Sequence, residues 1–469
     1  MSDPRFDKLR AAGIPVPAVA LLERHVETAP PEELARVNPL AFAEAHGLQA
    51  AEAIDLFLHA SRLGLFDLNW NVLCHACGGI LETSAHLQQG ADEPNCSLCA
   101  IKVRPTLDEM FEVSFTVSPA VRPIPAHHPE SLPIWDYMRQ IYFSHALKMP
   151  SGAAWSALVR EICVADCKVE PGTRIALDLD LAAQFLILFD PVHHLTVFLD
   201  VKGERAGAPQ HLEVLLAAGG AYPGKVELRP GPLRLTIDNH LAERALVGLF
   251  TPSDAFHHGL ERRPYLTGKQ LLSNQTFRDL FRGETLKIDE RLRITSLTVL
   301  FTDLKGSTAL YEKVGDLLAY DLVRDHFKVL GQVVRKGGGA VVKTIGDAVM
   351  ATFPTPELGL ACALAMRDAM DALNRERGDD KESLELKIGL HSGPCLAVTL
   401  NDRLDYFGQA VNIAARVQGL ADSRSIFATQ AVVQHEPARR LLEARGLPWR
   451  ERRAQLKGVS EAVTVYEVP

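Results

Sequence analysis

The chain has 469 residues, 47% of them hydrophobic and 23% charged, with a formal net charge of −8 at pH 7. That composition is one of an ordinary globular protein, the length implies about three domains, and the acidic balance argues against a generally cationic nucleic-acid or lipid surface. The N-terminus, MSDPRFDKLRAAG, lacks the apolar core of a signal peptide and no run approaches ~18 uninterrupted apolar residues, so the expectation is a cytoplasmic protein with no membrane span.

Residues 1–110 read as a helical lobe followed by a metal ribbon. PPEELARV and NPLAFAEAHG each carry a helix start signal, and LQAAEAIDLFLHASRLGLF repeats apolar residues at helical spacing. The stretch from Ala41 to Phe66 resembles a helix-turn-helix or winged-helix unit. Residues 1–110 hold 8 Lys or Arg against 15 Asp or Glu, which argues against nucleic acid as a partner and favours packing or docking.

Cys74 and Cys77, then eighteen residues, then Cys96 and Cys99 form two C-x2-C knuckles. Such spacing closes a tetrahedral thiolate site for which zinc is the usual occupant, and four protein ligands make the role structural. His75 is a possible substitute ligand. Cys163 and Cys167 read as small buried hydrophobes.

Residues 111–265 change texture. MFEVSFTVSP, TRIALDLDL, QFLILFD, HLTVFLDVKG and KVELRPGPLRLTID are short alternating runs split by Pro, Gly, Asp and Asn, the pattern of an antiparallel β-rich sensor or docking domain. A helical insert from about Ile134 to Val164 interrupts it. His127-His128, His193-His194 and His257-His258 are adjacent pairs, poor chelators because neighbours on a strand face opposite ways. Residues 266–293 are a connector, with QLLSNQTFRDLF helical in pattern.

Residues 294–469 carry the chemistry. Ser296 to Phe301 is a β-branched strand that ends in Thr302-Asp303, and Leu304, Lys305, Gly306, Ser307 and Thr308 then open a helical pattern over 307–336. A carboxylate beside the free backbone N–H groups of a helix N-terminus suits a phosphate and a divalent cation together. Ala340–Ile345 and Ala348–Phe353 form a hairpin with Asp347 at its tip. If the hairpin lies beside the first strand, Asp303 and Asp347 converge, and paired aspartates can hold two divalent ions. Taken singly, Asp303 reads as a helix cap and Gly346-Asp347 as a turn. A helix over 356–376, strands over 384–400 and a helix over 409–420 follow.

FTDLKGST, VVKTIGDAVMATF, LKIGLHSGP, DYFGQAVNIAARV and LKGVSEAVTVYEV, in that order, resemble the class III nucleotidyl cyclase catalytic domain. The resemblance implies a ferredoxin-like α/β sandwich and an adenylate cyclase that makes 3′,5′-cyclic AMP and pyrophosphate from ATP, with two Mg2+ or Mn2+ per active site. It implies that Asp303 and Asp347 bind metal, that Lys343 and Asp405 read the base, that Asn412 and Arg416 orient the nucleotide and stabilise the transition state, and that Lys457 holds the triphosphate. A lysine donor and an aspartate acceptor match the edge of adenine and mismatch guanine. Asp402 is a misregistered rival of Asp405, expected to be a turn residue. Asn412 and Arg416, four apart, share a helix face, with Val411, Ala415 and Val417 expected to pack. Family members pair head to tail, so the resemblance implies a homodimer with two composite sites. The chain departs from the pattern at Ser307, where many members have an aromatic, and at Pro394, where some carry a phosphate-binding arginine, which shifts triphosphate charge onto Lys457 or Lys305. The region before it is similar to uncharacterised N-terminal regions of bacterial cyclases, for which a regulatory ligand or protein is expected.

The expected fold class is therefore multidomain α+β: a helical/zinc-ribbon N-terminal lobe, an antiparallel β-rich middle domain and the sandwich at 294–469. Rival readings are a non-catalytic nucleotide-binding module, a guanylate cyclase, and a DNA-binding regulator acting through the N-terminal lobe.

Overall fold

In the computed structural model, which describes residues 3–87, 93–148, 155–252, 261–286, 291–306, 315–377, 384–422 and 425–469, the chain is a mixed α+β protein whose units are not contiguous in sequence. One unit draws on residues up to Leu266; the other combines Thr267–Pro469 with Thr106–Glu109 and residues 86–87 from far upstream.

In the N-terminal unit, helices Arg5–Ala11, Val16–Thr28, Pro39–His46 and Ala50–Arg62 precede a three-stranded sheet of Ile80–Ser84, Phe66–Leu73 and Phe111–Val117. PPEELARV yields only a 3-10 turn at Pro31–Glu33, because two prolines at the start leave too few residues before the chain turns to pair Val37 with Phe115. Beyond it, a five-stranded and a four-stranded sheet enclose a core of Leu188, Val197, Leu199, Val214, Leu235, Ile237 and their neighbours. Alternation is clean, as in Gly231–Asn239, where every second residue is buried.

The expectation of an all-antiparallel middle domain needs correction. Gln210–Ala217 pairs in parallel with Gly231–Asn239, and Leu195–Val201 with Lys225–Leu228. Between the first two, the chain leaves its sheet after Gly220–Tyr222, adds Lys225–Leu228 to the opposite sheet and returns, so direction no longer alternates between neighbours. Phe111–Val117 belongs to the three-stranded sheet instead of the sandwich. The helical insert is present in part, as Ile134–Tyr137, Met138–Tyr142 and Trp155–Glu161. Cys163 and Cys167 are half-buried on one strand, and burial pushes both thiols up to about 11. His127 Nε2 lies 2.8 Å from Val117 O and His193 Nδ1 2.7 Å from buried Asp190, so both are turn-pinning groups; His257 and His258 lie outside the described residues.

The C-terminal unit runs α1 (Gly268–Leu272), α2 (Gln275–Leu280), β1 (Leu292–Leu304), α3 (Asp316–Lys336), β2 (Ala340–Ile345), β3 (Ala348–Phe353), α4 (Pro356–Arg377), β4 (Leu386–Leu400), β5 (Arg403–Phe407), α5 (Gln409–Gln418), β6 (Ile426–Thr429), α6 (Gln430–Val433), α7 (Glu436–Ala444), β7 (Arg450–Ala454) and β8 (Val463–Val468). The sheet order is β2-β3-β1-β4-β6-β8-β7, with β5 folded back on β4. The first strand is longer than Ser296–Phe301 and carries Asp303 and Leu304 inside it. The expected helix over 307–336 begins, among the described residues, at Asp316 after Gly315 at φ 78; its earlier part lies outside them. The expected strands at 384–400 are one strand, β4.

One face of the sheet is covered by α3, α4 and the helices after β6, around Leu300, Leu330, Val334, Phe353, Leu360 and Leu390. Helix α3 turns Ala319, Val323, His326, Leu330 and Val334 inward at three- and four-residue spacing. His326 is the polar member of that stripe: 0% exposed, with neither ring nitrogen hydrogen-bonded among the described residues. Burial pushes it down to about 4, with the Asp347 charge opposing.

The unfolded chain therefore takes up this proton first, so the stability involved is intact above the ordinary value of 6.5 and lost as pH falls toward 4. Between pH 7 and pH 5 the loss amounts to about 2 kcal/mol. His326→Leu should flatten that part of the slope in urea unfolding at the two pH values; equal losses in both proteins would contradict the burial argument.

Candidate functional site

Asp303 and Asp347 come from separate strands, and the sheet register brings them together. Thr302 pairs with Val349, whose N–H donates to Thr302 Oγ1 at 3.2 Å, so the hairpin is pinned to β1 one residue short of Asp303. The tip is a two-residue turn with Gly346 at φ 61, a conformation in which a side chain is strained. Asp347 then reaches across, and its Oδ2 accepts from Leu304 N–H at 3.3 Å. Burial raises the Asp303 pKa, and the Asp347 charge raises it further; Lys387, its register partner on β4, and Gln418 of α5 pull it down. Two half-buried carboxylates, one of which is made harder to ionise by the other's charge, are a donor set that a divalent cation relieves, so these residues fit one.

Lys343 lies on the edge strand β2 and Asp405 on β5. Their side chains meet in a direct ion pair, with Asp405 buried and Lys343 half-exposed. The other Asp405 oxygen accepts from Tyr406 N–H at 2.8 Å, which fixes the carboxylate's orientation. Asn401 and Asp402 have φ of 50 and 57, the two-residue turn between β4 and β5, so Asp402 is the turn residue expected of it.

Helix α5 presents Asn412 and Arg416 on one exposed face. The buried residues are Ala410, Ala414 and Val417, which corrects the expected set of Val411, Ala415 and Val417. Small residues win because the helix lies almost on the sheet: a Cβ on Gly389 would meet Gln418 N at 2.1 Å. The Arg416 guanidinium reaches to 3.8 Å from the Cβ position of Gly458, beside exposed Lys457. Lys305 turns elsewhere, to Glu385 at 3.0 Å. Leu304 is still strand and Lys305-Gly306 a turn, while Ser307 and Thr308 lie outside the described residues.

In the N-terminal unit, Cys74, Cys77, Cys96 and Cys99 place their four sulfurs within 4.8 Å of one another, with Cys74 to Cys99 at 3.9 Å and Cys77 to Cys96 at 3.7 Å. A tetrahedron of ~2.3 Å metal–sulfur bonds needs edges of about 3.8 Å. Gly79 N–H donates to Cys77 Sγ at 3.4 Å, and Arg262 donates to the carbonyls of Cys74 and His75, so the first knuckle is held from outside. His75 donates no ligand atom to the cluster.

A family model described as a family of unknown function (DUF5939) matches residues 1–279. The chain belongs to that family. A second model, the adenylate and guanylate cyclase catalytic domain, matches residues 290–454, so a class III cyclase domain follows the DUF5939 region. The chain is 29% identical over 185 residues to an adenylate cyclase of Anabaena cylindrica, covering 37% of this chain and 36% of that one. It is 31% identical over 162 residues to adenylate cyclase 2 of Rhizobium meliloti, covering 32% and 43%. The chain thus spans less than half the length of these curated relatives. Among solved structures, the adenylyl cyclase CyaB of P. aeruginosa aligns at 26% identity and TM-score 0.34, over 38% of this chain and 96% of that one.

Gly389→Ala should lower the urea midpoint of the chain by the equivalent of about 1–3 kcal/mol, since α5 must lift off β4 to admit the methyl group. An unchanged midpoint would show that the helix does not lie so close.

Proposed function

We propose that the cyclase unit converts ATP to 3′,5′-cyclic AMP and pyrophosphate. The observation that carries the reading is the convergence of Asp303 and Asp347 from two strands within a domain of this family, in a unit that also forms the Lys343–Asp405 ion pair. Asp303 and Asp347 would hold two Mg2+ or Mn2+, which when bound supply positive charge to the triphosphate and favour the 3′-alkoxide. The Asp405 carboxylate accepts from the adenine amine and Lys343 donates to a ring nitrogen, which requires the two to part and admit the base between them. The 3′-oxygen bonds to the α-phosphorus, its proton goes to solvent, and the bond from the α-phosphorus to the bridging oxygen breaks to release pyrophosphate. Arg416 offsets charge on the transferring phosphoryl group, Asn412 orients the nucleotide and Lys457 holds the leaving pyrophosphate.

We assign the site to two copies of the chain. Ile345, next to the hairpin tip, and Phe407, two residues past Asp405, are exposed at 53% and 64%, and Leu317 and Tyr320 of α3 are exposed as well. Exposed large apolar groups, two of them only two residues from Asp347 and from Asp405, suit a face that a second copy covers. One copy gives the aspartates and the other Lys343, Asp405, Asn412 and Arg416. Asp303→Ala and Arg416→Ala should each be nearly inactive alone, with Arg416→Ala down roughly 10²–10³ in turnover. Mixing them should restore activity in the heterodimers through one intact site; no recovery on mixing would show that each site is built within one chain.

Cys74, Cys77, Cys96 and Cys99 are assigned a structural zinc ion, and the N-terminal region a regulatory role. The cyclase unit includes Thr106–Glu109, where Asp108 accepts from the N–H groups of Thr295 and Ser296 at 3.0 and 3.2 Å at the start of β1. Elemental analysis should find one zinc per reduced chain, and its removal should lower the first unfolding transition before it lowers turnover. A reduced, intact chain without bound metal would refute the assignment.

A further inference from the structure

The Lys343–Asp405 pair sits where two strands that do not hydrogen-bond to each other come close. Among the described residues β2 is the sheet edge and pairs with β3 alone, and its register slips between Val341 and Lys343; β5 hangs from β4. Backbone pairing alone therefore leaves the gap between the two side chains undetermined.

The short helix α2 spans that gap. Gln275 Oε1 accepts from Val341 N–H at 2.8 Å, two residues before Lys343. Arg278 donates to Leu404 O at 2.6 Å, the residue before Asp405, and its guanidinium lies 5.9 Å over the Tyr406 ring, the residue after it. Tyr406 in turn donates its hydroxyl to Leu272 O of α1 at 3.2 Å. The helix is itself anchored: Asn274 caps it through Phe277 N–H at 2.9 Å, and Asp279 pairs with Arg335 of α3. Behind these bonds a cavity of about 450 Å³ opens, lined by Gln275, Arg278, Val341, Arg403 and Leu404. Packing does not fill the junction, so the polar bridges set its width.

We propose that Gln275 and Arg278 are positioning residues that hold β2 and β5 at a set spacing beside Lys343 and Asp405, so that the two side chains part around a base without the strands moving, and that this spacing sets which purine the site accepts. The proposal rests on the base-reading role given above to that pair. A hydrogen-bonding site discriminates by leaving the wrong base's partners unpaired, and that works only if donor and acceptor stay at a set spacing. With the bridge cut, β2 and β5 relax and the site tolerates guanine better.

The test compares ATP with GTP in the full-length chain, as kcat/KM and as Kd for the α,β-methylene analogues, for Q275A, R278A, R278K and K343A. K343A should erase most of the ATP preference. Q275A and R278A should each cut the ATP-over-GTP ratio by about 3- to 10-fold, mainly through KM, the worth of one hydrogen bond. R278K, which keeps one donor for Leu404 O, should recover part of it. Equal losses for both nucleotides, with the ratio unchanged in Q275A and R278A but shifted in K343A, overturn the clamp and leave the base readers standing. A ratio unmoved in K343A removes the base-reading role and the clamp with it. Should R278A fail to fold, Q275A, which frees one N–H on an edge strand, carries the same comparison.

Discussion

Two like charges held against each other at the rim of a sheet are the constraint on which the C-terminal unit depends. Burial and the neighbouring Asp347 charge both raise the cost of ionising Asp303. Nothing in the folding of one chain requires that arrangement; the hairpin could turn with any small polar residue at position 347. The cost is met by a rigid frame, in which the Thr302 hydroxyl pins β3, Leu304 N–H takes one Asp347 oxygen, and Lys387 stands opposite Asp303. A frame that stores electrostatic repulsion in this way is suited to binding positive charge, and a domain of the cyclase family supplies the reason to bind it.

The rest of the unit follows from the same frame. Helix α5 must approach the sheet closely for Gln418 to reach Asp303, and the chain meets this with glycine at 389 and alanines at 410 and 414. The same closeness buries Ala410, Ala414 and Val417 and leaves Asn412 and Arg416 on the exposed side. Ile345 and Phe407, two residues from Asp347 and from Asp405, stay exposed on the single chain.

Much of this is legible in the sequence. The hairpin could be read because Gly346-Asp347 separates two β-branched runs, and the tetracysteine cluster because two C-x2-C knuckles admit few other arrangements. What could not be read depends on distance. Hydropathy favours valine over alanine as a packing residue and so points to the wrong face of α5; the lack of room for a Cβ at Gly389 shows why small residues win. Parallel pairing in the sandwich depends on a chain crossing between sheets, which alternation does not encode. His326 gives no signal in sequence because an orphan buried imidazole looks like any helix histidine, and Gln275 and Arg278 look like ordinary polar residues of a connector.

Product analysis of the purified chain with ATP or GTP, in Mg2+ and in Mn2+, tests the central claim most directly. The expected result is 3′,5′-cyclic AMP with an equal amount of pyrophosphate, and a preference for ATP of roughly 10² to 10⁴, set by hydrogen bonds that guanine cannot satisfy. Turnover of GTP on a par with ATP, or no cyclic product with either metal, would contradict it.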